Sequence, residues 1–292
     1  LIADTEILDI EKDEQQIFWL ATKSKGLVRY NAIKDAPEIY THDPADDKSI
    51  SANAITSLYL DNTRILWVGT SLGGANLWDR QSDHIRVYRH NPYNPQSISA
   101  KGVRSFYEDT QGTVWIGTVD GGLNKWVGQP GSFKHYKHEP GNPQSLAYNH
   151  VRAIEEDAQG YLWVGTDGGG LDRMDPRTGR FIHFRRQAGQ AGSLAHNRIW
   201  SLLRDGQDRL WVGTYGGGLD LYQPRTQTFR HFRHKPENPR SLSDDNVITI
   251  FQDSRKRLWV GTNKGLNLWD SQTGDFTVFQ NRPDDSTSLS HS

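Results

Sequence analysis

Apolar and polar positions along this chain recur with a fixed period of 48 residues. The clearest marker is Leu66-Trp67-Val68-Gly69-Thr70, which returns around Trp115, Trp163, Trp211 and Trp259, with a divergent copy, Phe18-Trp19-Leu20-Ala21-Thr22. Six copies at one spacing identify a repeat architecture, and the period decides how everything else is read. Within the repeat spanning 53–99 the pattern predicts four short strands: Ala54–Leu60, Ile65–Thr70, Ala75–Asp79 and Ile85–His90. A glycine turn, Ser71–Gly74, separates the second from the third, and a polar turn, Arg80–Asp83, separates the third from the fourth. Short β-branched and aromatic runs with turn signals about every ten residues are an all-β pattern. Glycine pairs and prolines interrupt every window long enough for a helix.

The burial pattern selects the architecture. Leu66, Trp67 and Val68 are consecutive apolar residues, so their strand must be covered on both faces. In the fourth strand Phe181 and Phe184, like Phe229 and Phe232, lie three apart and therefore point to opposite faces. Sheets that need cover on both sides in every repeat fit the radial blades of a β-propeller. Burying one Trp of about 150–250 Å² at roughly 25 cal/mol/Å² contributes on the order of 4–6 kcal/mol per blade at most. A β-solenoid is the rival, disfavoured because its coils are usually shorter than this repeat. The expected fold is therefore all-β, a propeller of four-stranded blades at about 5–52, 53–100, 101–148, 149–196, 197–244 and 245–292.

Columns shared by all repeats read as structure. An Asp stands six residues before each pentad Trp (Asp13, Asp61, Asp109, Asp157, Asp205, Asp253), which predicts a hairpin turn closed by its side chain on backbone N–H groups. His42, His90, His138 and His234 share a second column, filled by Arg186 in the fourth repeat, and His135, His183 and His231 a third. Their repetition argues for packing over metal binding, and no metal site is expected.

Composition narrows the function classes. The net charge of −1 gives no electrostatic footprint for nucleic acid or an anionic membrane. No apolar run approaches the ~20 residues of a membrane helix. With no cysteine, thiolate metal sites and nucleophiles are excluded. Phosphate-loop, HExxH and nucleophile-elbow signatures are missing, so no cofactor is expected and any signalling output lies outside this chain.

Glu108-Asp-Thr-Gln-Gly-Thr-Val-Trp-Ile-Gly-Thr118 followed by Gly121-Gly-Leu-Asn124 resembles the two-component regulator propeller repeat, as does Glu156–Thr166 followed by Gly168–Leu171. The linker His234–Ser243 resembles that family's inter-blade segment, and the resemblance covers essentially the whole chain. It implies an extracellular or periplasmic sensor region of a membrane receptor, with a histidine kinase or diguanylate cyclase as the output elsewhere in a homodimeric parent. It also implies seven blades, so six repeats suggest part of a ring. Leu1-Ile2-Ala3 aligns with Ser49-Ile50-Ser51, and Ser288–Ser292 is the same motif again, which leads to the expectation of an excerpt from a longer array.

Candidate ligand contacts come from a column that drifts. The position after the apolar start of each first strand reads Leu8, Thr56, Arg104, Arg152, Trp200 and Ile248. Arginine forks carboxylates and tryptophan stacks on flat or sugar faces, so Arg104, Arg152 and Trp200 are candidate contacts. Asn149, His150, Asn197 and Arg198 flank them, and the glycine-turn column adds Asp120, Asp167 and Tyr215. The bland alternative pairs the two arginines with Asp120 and Asp167. The first expectation is a non-catalytic sensor of a small ligand such as an oligosaccharide. A glycoside hydrolase or polysaccharide lyase is the second, with Asp120, Asp167 and Glu6 as its only obvious carboxylates, and a protein-interaction platform is the third.

Overall fold

The computed structural model describes residues 5–79, 84–128 and 131–289. The Arg80–Asp83 turn lies outside them, as do Leu1-Ile2-Ala3 and Ser290–Ser292 of the two end motifs. Among the described residues there are six four-stranded antiparallel sheets, each built from four consecutive strands, and no helix. In the second sheet the strands are Ile55–Leu60, Leu66–Thr70, Ala75–Asp79 and His84–Tyr88, within two residues of the expected bounds. The architecture is that of a β-propeller.

The chain divides into two compact units, Leu1–His138 with Asn149–Ile154, and Glu139–Tyr148 with Glu155–Ser292. In each unit the first strands of successive blades are neighbours: Ile7–Lys12 beside Ile55–Leu60 beside Val103–Glu108 in one, Ile199–Arg204 beside Val247–Gln252 in the other. Among the described residues, the first-to-second and third-to-fourth turns lie at one end of each sheet. The second-to-third turn and the inter-blade linker lie at the other.

Each letter of the pentad has a job. Trp19, Trp67, Trp115, Trp163 and Trp211 are at most 1% exposed, while Trp259 is half-buried. In blades two to six the indole N–H donates to the Asp six residues earlier, as from Trp67 to Asp61 at 2.9 Å and from Trp115 to Asp109 at 2.7 Å. The other carboxylate oxygen accepts from two backbone N–H groups of the turn, so one Asp closes the hairpin and orients the indole. The Thr hydroxyl donates across the glycine turn, from Thr118 to the Gly122 carbonyl and from Thr214 to that of Gly218, both at 2.8 Å. The Gly lets the next blade approach: a Cβ at Gly117 would lie 2.7 Å from Val151, and one at Gly213 2.7 Å from Val247.

The fourth-strand aromatics face opposite ways, as their spacing requires. Phe229 meets Phe184 of the preceding blade at 5.9 Å, whereas Phe232 meets Phe276 of the following blade at 6.0 Å. A third-strand column adds a second indole: Trp78 packs edge-on against Trp19 at 4.8 Å, Trp126 against Trp67 at 5.3 Å and Trp269 against Trp211 at 4.8 Å. The histidine columns hold the linkers. His42, His90 and His234 bond through Nδ1 to the carbonyls of Ile50, Ile98 and Leu242 at 2.8–2.9 Å.

Candidate functional site

The drifting column coincides with a β-bulge. In the fifth blade Ile199 pairs with Thr214 and Ser201 with Gly213, leaving Trp200 as the extra residue between them. The same register shift falls at Leu8, Thr56, Arg104 and Ile248. A bulge releases one side chain from the in–out alternation of its strand and re-aims it. The residues flanking it stay fixed in role: Ile55, Val103, Ile199 and Val247 are fully buried. The column is therefore free to vary without disturbing the core. In the second blade it serves the scaffold, since the Thr56 hydroxyl donates to the Val103 carbonyl at 2.6 Å.

In the second unit, five expected residues come together at the linker end of blades four and five. Tyr215, in the second-to-third turn, stacks on Trp200 with ring centroids 4.2 Å apart and planes 25° from parallel. The Arg198 guanidinium lies 4.7 Å from the Tyr215 ring and 5.8 Å from that of Trp200. Asp167 of the preceding blade fixes it through a 2.6 Å ion pair with Nε. The Tyr215 N–H donates to the Arg198 carbonyl at 2.9 Å, locking turn to strand entry. Asn197 is spent on the turn: its carbonyl accepts from Gly168 and Gly170, and its Oδ1 from the Arg186 N–H at 2.7 Å. His196 Nδ1 accepts from the Arg198 N–H at 3.1 Å, and burial pushes its pKa down, favouring the neutral imidazole that can accept. The result is a half-buried aromatic pair edged by a clamped cation. Chemically it suits a flat or ring-shaped partner with hydroxyl or carboxylate substituents.

The first unit holds the other five. Arg104 sits on its blade's bulge and Arg152 is the second residue of Val151–Glu156, both half-buried. His150 Nδ1 stands 4.0 Å from Asp120 Oδ1, with Asp120 largely exposed at the tip of its turn. Asn149 has a scaffold role like that of Asn197, accepting from Gly122 through its carbonyl and from His138 through Oδ1 at 2.7 Å.

Sequence reasoning missed a pair of buried acids. Asn76, Asn124 and Asn267 on the third strands hold linker serines, Ser51, Ser99 and Ser243. In blades four and five that residue is Asp172 or Asp220, the serine is Ala147 or Ala195, and a histidine joins. His183 meets Asp172 at 2.7 Å and His231 meets Asp220 at 2.6 Å. The signal was the joint change of two columns, Asn to Asp and Ser to Ala, beside a histidine column that His135 already occupies in blade three.

Comparison with known proteins follows the repeat. Residues 97–120, 145–168, 193–216 and 241–264 match the family model described as two component regulator propeller. No curated protein sequence matches the chain. Among solved structures, the chain resembles an extracellular domain assigned to the hybrid two component system BT3049 of B. thetaiotaomicron, at TM-score 0.80 and 24% identity over 98% of this chain and 36% of that one. A second, from BT4673 of the same organism, gives 0.50 and 22% over 94% and 37%. Virginiamycin B lyase from Staphylococcus aureus gives 0.69 and 15% over 97% and 87%. At these identities the likeness is one of fold. The chain spans about a third of the length of the two B. thetaiotaomicron domains.

Proposed function

We propose, from the premise that this chain carries two component regulator propeller repeats, that it is a non-catalytic sensing module on the extracellular or periplasmic side of a membrane receptor. Its ligand is a small molecule, an oligosaccharide being the class that suits the aromatic pair. The observation that carries the reading is the Trp200–Tyr215 stack edged by Arg198. Trp200 occupies a bulge position the fold leaves free, and its ring is held by a turn residue and a clamped guanidinium. That is a preorganised face, which lowers the ordering cost of binding. In the homodimeric parent, the ligand acts by binding one arrangement of the receptor more tightly than the other. Arg104, Asp120, His150 and Arg152 remain separate candidate contacts in the first unit, where Asn149 serves the scaffold.

The likeness to a lyase fold raises the enzyme reading, which the carboxylates do not favour. Asp167 is committed to Arg198 at 2.6 Å and Glu6 to Lys23 at 2.9 Å, and Asp120 has His150 beside it. A glycosidase pair needs two carboxyls about 5–9.5 Å apart with distinct proton affinities.

An oligosaccharide library titrated against the 292-residue chain tests the proposal. Saturable binding that weakens at least tenfold in Trp200→Ala and in Tyr215→Leu, with melting temperatures close to the parent's, is the expected result. A library with no binder, or binding indifferent to both substitutions, overturns it.

A further inference from the structure

The seam between blades four and five, within the second unit, differs from the seam between blades one and two in two ways that open one cavity. At the seam of blades one and two, Trp78 closes against Trp19. The equivalent residue in blade five is Tyr222, whose smaller ring sits 4.7 Å from Trp163. The second departure concerns charge. Arg29, over the Trp19 ring, pairs across the strands with Glu38 at 3.0 Å. Its counterpart Arg173 lies over Tyr161 at 4.9 Å and Trp163 at 5.6 Å, but the residue opposite it is Ile182. Among the described residues Arg173 makes no ion pair. Both changes face a cavity of about 390 Å³ lined by Trp163, Arg173, Arg209, Leu210 and Tyr222. It lies at the end of the blades carrying the first-to-second and third-to-fourth turns, opposite the Trp200 cluster.

We propose that this cavity is a second ligand site and that it takes a small arene bearing a carboxylate. A cavity of this size falls within the range that holds small molecules. Tyr222 and Leu210 offer an apolar wall, both under 10% exposed. Arg173 is planar, always charged and anchored on aromatic faces, so its edge is presented for a bidentate carboxylate. The other charged lining groups are already occupied. Asp157 accepts from two backbone N–H groups and the Trp163 indole, Asp208 pairs with Arg204 at 2.9 Å, and Arg209 pairs with Asp205 at 2.7 Å. The ligand carboxylate takes the place that Glu38 fills in the first blade, and its ring takes the space that Trp78, Trp126 and Trp269 fill at three other seams.

The sister blades supply the variants. The 292-residue chain is titrated by calorimetry with 3-phenylpropionate and with its neutral amide. The expected result is saturable binding of the acid and at least tenfold weaker binding of the amide. Tyr222→Trp refills the cavity, and Ile182→Glu gives Arg173 an internal partner; each weakens the acid at least tenfold without lowering the melting temperature. Trp200→Ala leaves the acid's affinity unchanged, which separates this site from the one proposed above. No saturable binding of the acid up to about 10 mM, equal binding of acid and amide, or affinity unmoved by Tyr222→Trp overturns the proposal.

Discussion

Asp172 Oδ1 meets His183 Nδ1 at 2.7 Å inside the fourth blade, and the other ring nitrogen reaches the Pro143 carbonyl at 2.9 Å. Asp172 is fully buried, and its Oδ2 accepts from the Ala147 N–H at 2.7 Å. A carboxylate placed where sister blades carry an amide needs the imidazole as its partner. His183→Val, the residue found at the matching site of blade two (Val87), should therefore destabilise by about 3–5 kcal/mol, because it leaves a buried charge unpaired. Adding Asp172→Asn and Ala147→Ser rebuilds the Asn76–Ser51 arrangement and should recover most of that loss. Denaturant titration of the single and triple variants checks the prediction; equal stabilities would mean the pair is dispensable.

The same pairs give a pH dependence with a definite sign. The Asp172 carboxylate raises the His183 pKa and Asp220 raises that of His231, against burial and the nearby Arg185 and Arg233. A raised histidine pKa contributes stability that is full below the unfolded value of about 6.5 and is lost as pH rises through the folded value. Desolvation raises the pKa of each Asp as well, which acts in the same direction. The melting temperature should fall from pH 6 towards mildly alkaline pH. Replacing both Asp–His–Ala sets by Asn–Val–Ser should flatten that slope.

The Asp of each first turn is expected to matter more than an ordinary hairpin residue. Asp205 accepts from the Gln207 and Arg209 N–H groups and from the Trp211 indole at 2.7 Å, with Arg209 beside it. Asp205→Ala orphans a buried indole N–H and two turn amides. Hydrogen bonds to a charged acceptor contribute about 1.5–3 kcal/mol each, so a loss of at least ~2 kcal/mol is predicted. Asp205→Asn retains an acceptor for the turn and should cost less. Parallel chemical denaturation of the two variants measures the difference.

The strands and the Asp turns were legible because period and turn chemistry are local. Their tertiary partners were not. The indole–carboxylate bond joins residues six apart across a hairpin, which no hydrophobic period reports. The Trp78, Trp126 and Trp269 column is a contact between different blades and is invisible within one repeat. The bulge at Trp200 was half visible: the chain marks that position as variable, but register is set by pairing, and only the pairing shows why variation there is tolerated. Candidate residues beside it split by role for the same reason. Asn149 and Asn197 look polar and available in sequence, yet both are used up by the backbone of neighbouring turns.

The pentad glycine provides the sharpest steric test. Gly213 lies in ordinary strand conformation, so a methyl group there is resisted by space alone. Its Cβ would lie 2.7 Å from Val247 Cγ1 and 3.3 Å from both Ile250 and Ser201, all of them packed groups. Val247 belongs to the next blade, so Gly213→Ala must push two sheets apart or bend a strand, and overpacking of this kind costs about 1–3 kcal/mol. In the last blade the same change is milder, because a Cβ at Gly261 meets chiefly the Thr249 methyl of its own sheet at 2.8 Å. The prediction is a clear drop in melting temperature for Gly213→Ala, a smaller one for Gly261→Ala, and partial rescue of the first by Val247→Ala. Equal effects at the two sites would mean that blade separation is not what the glycine controls.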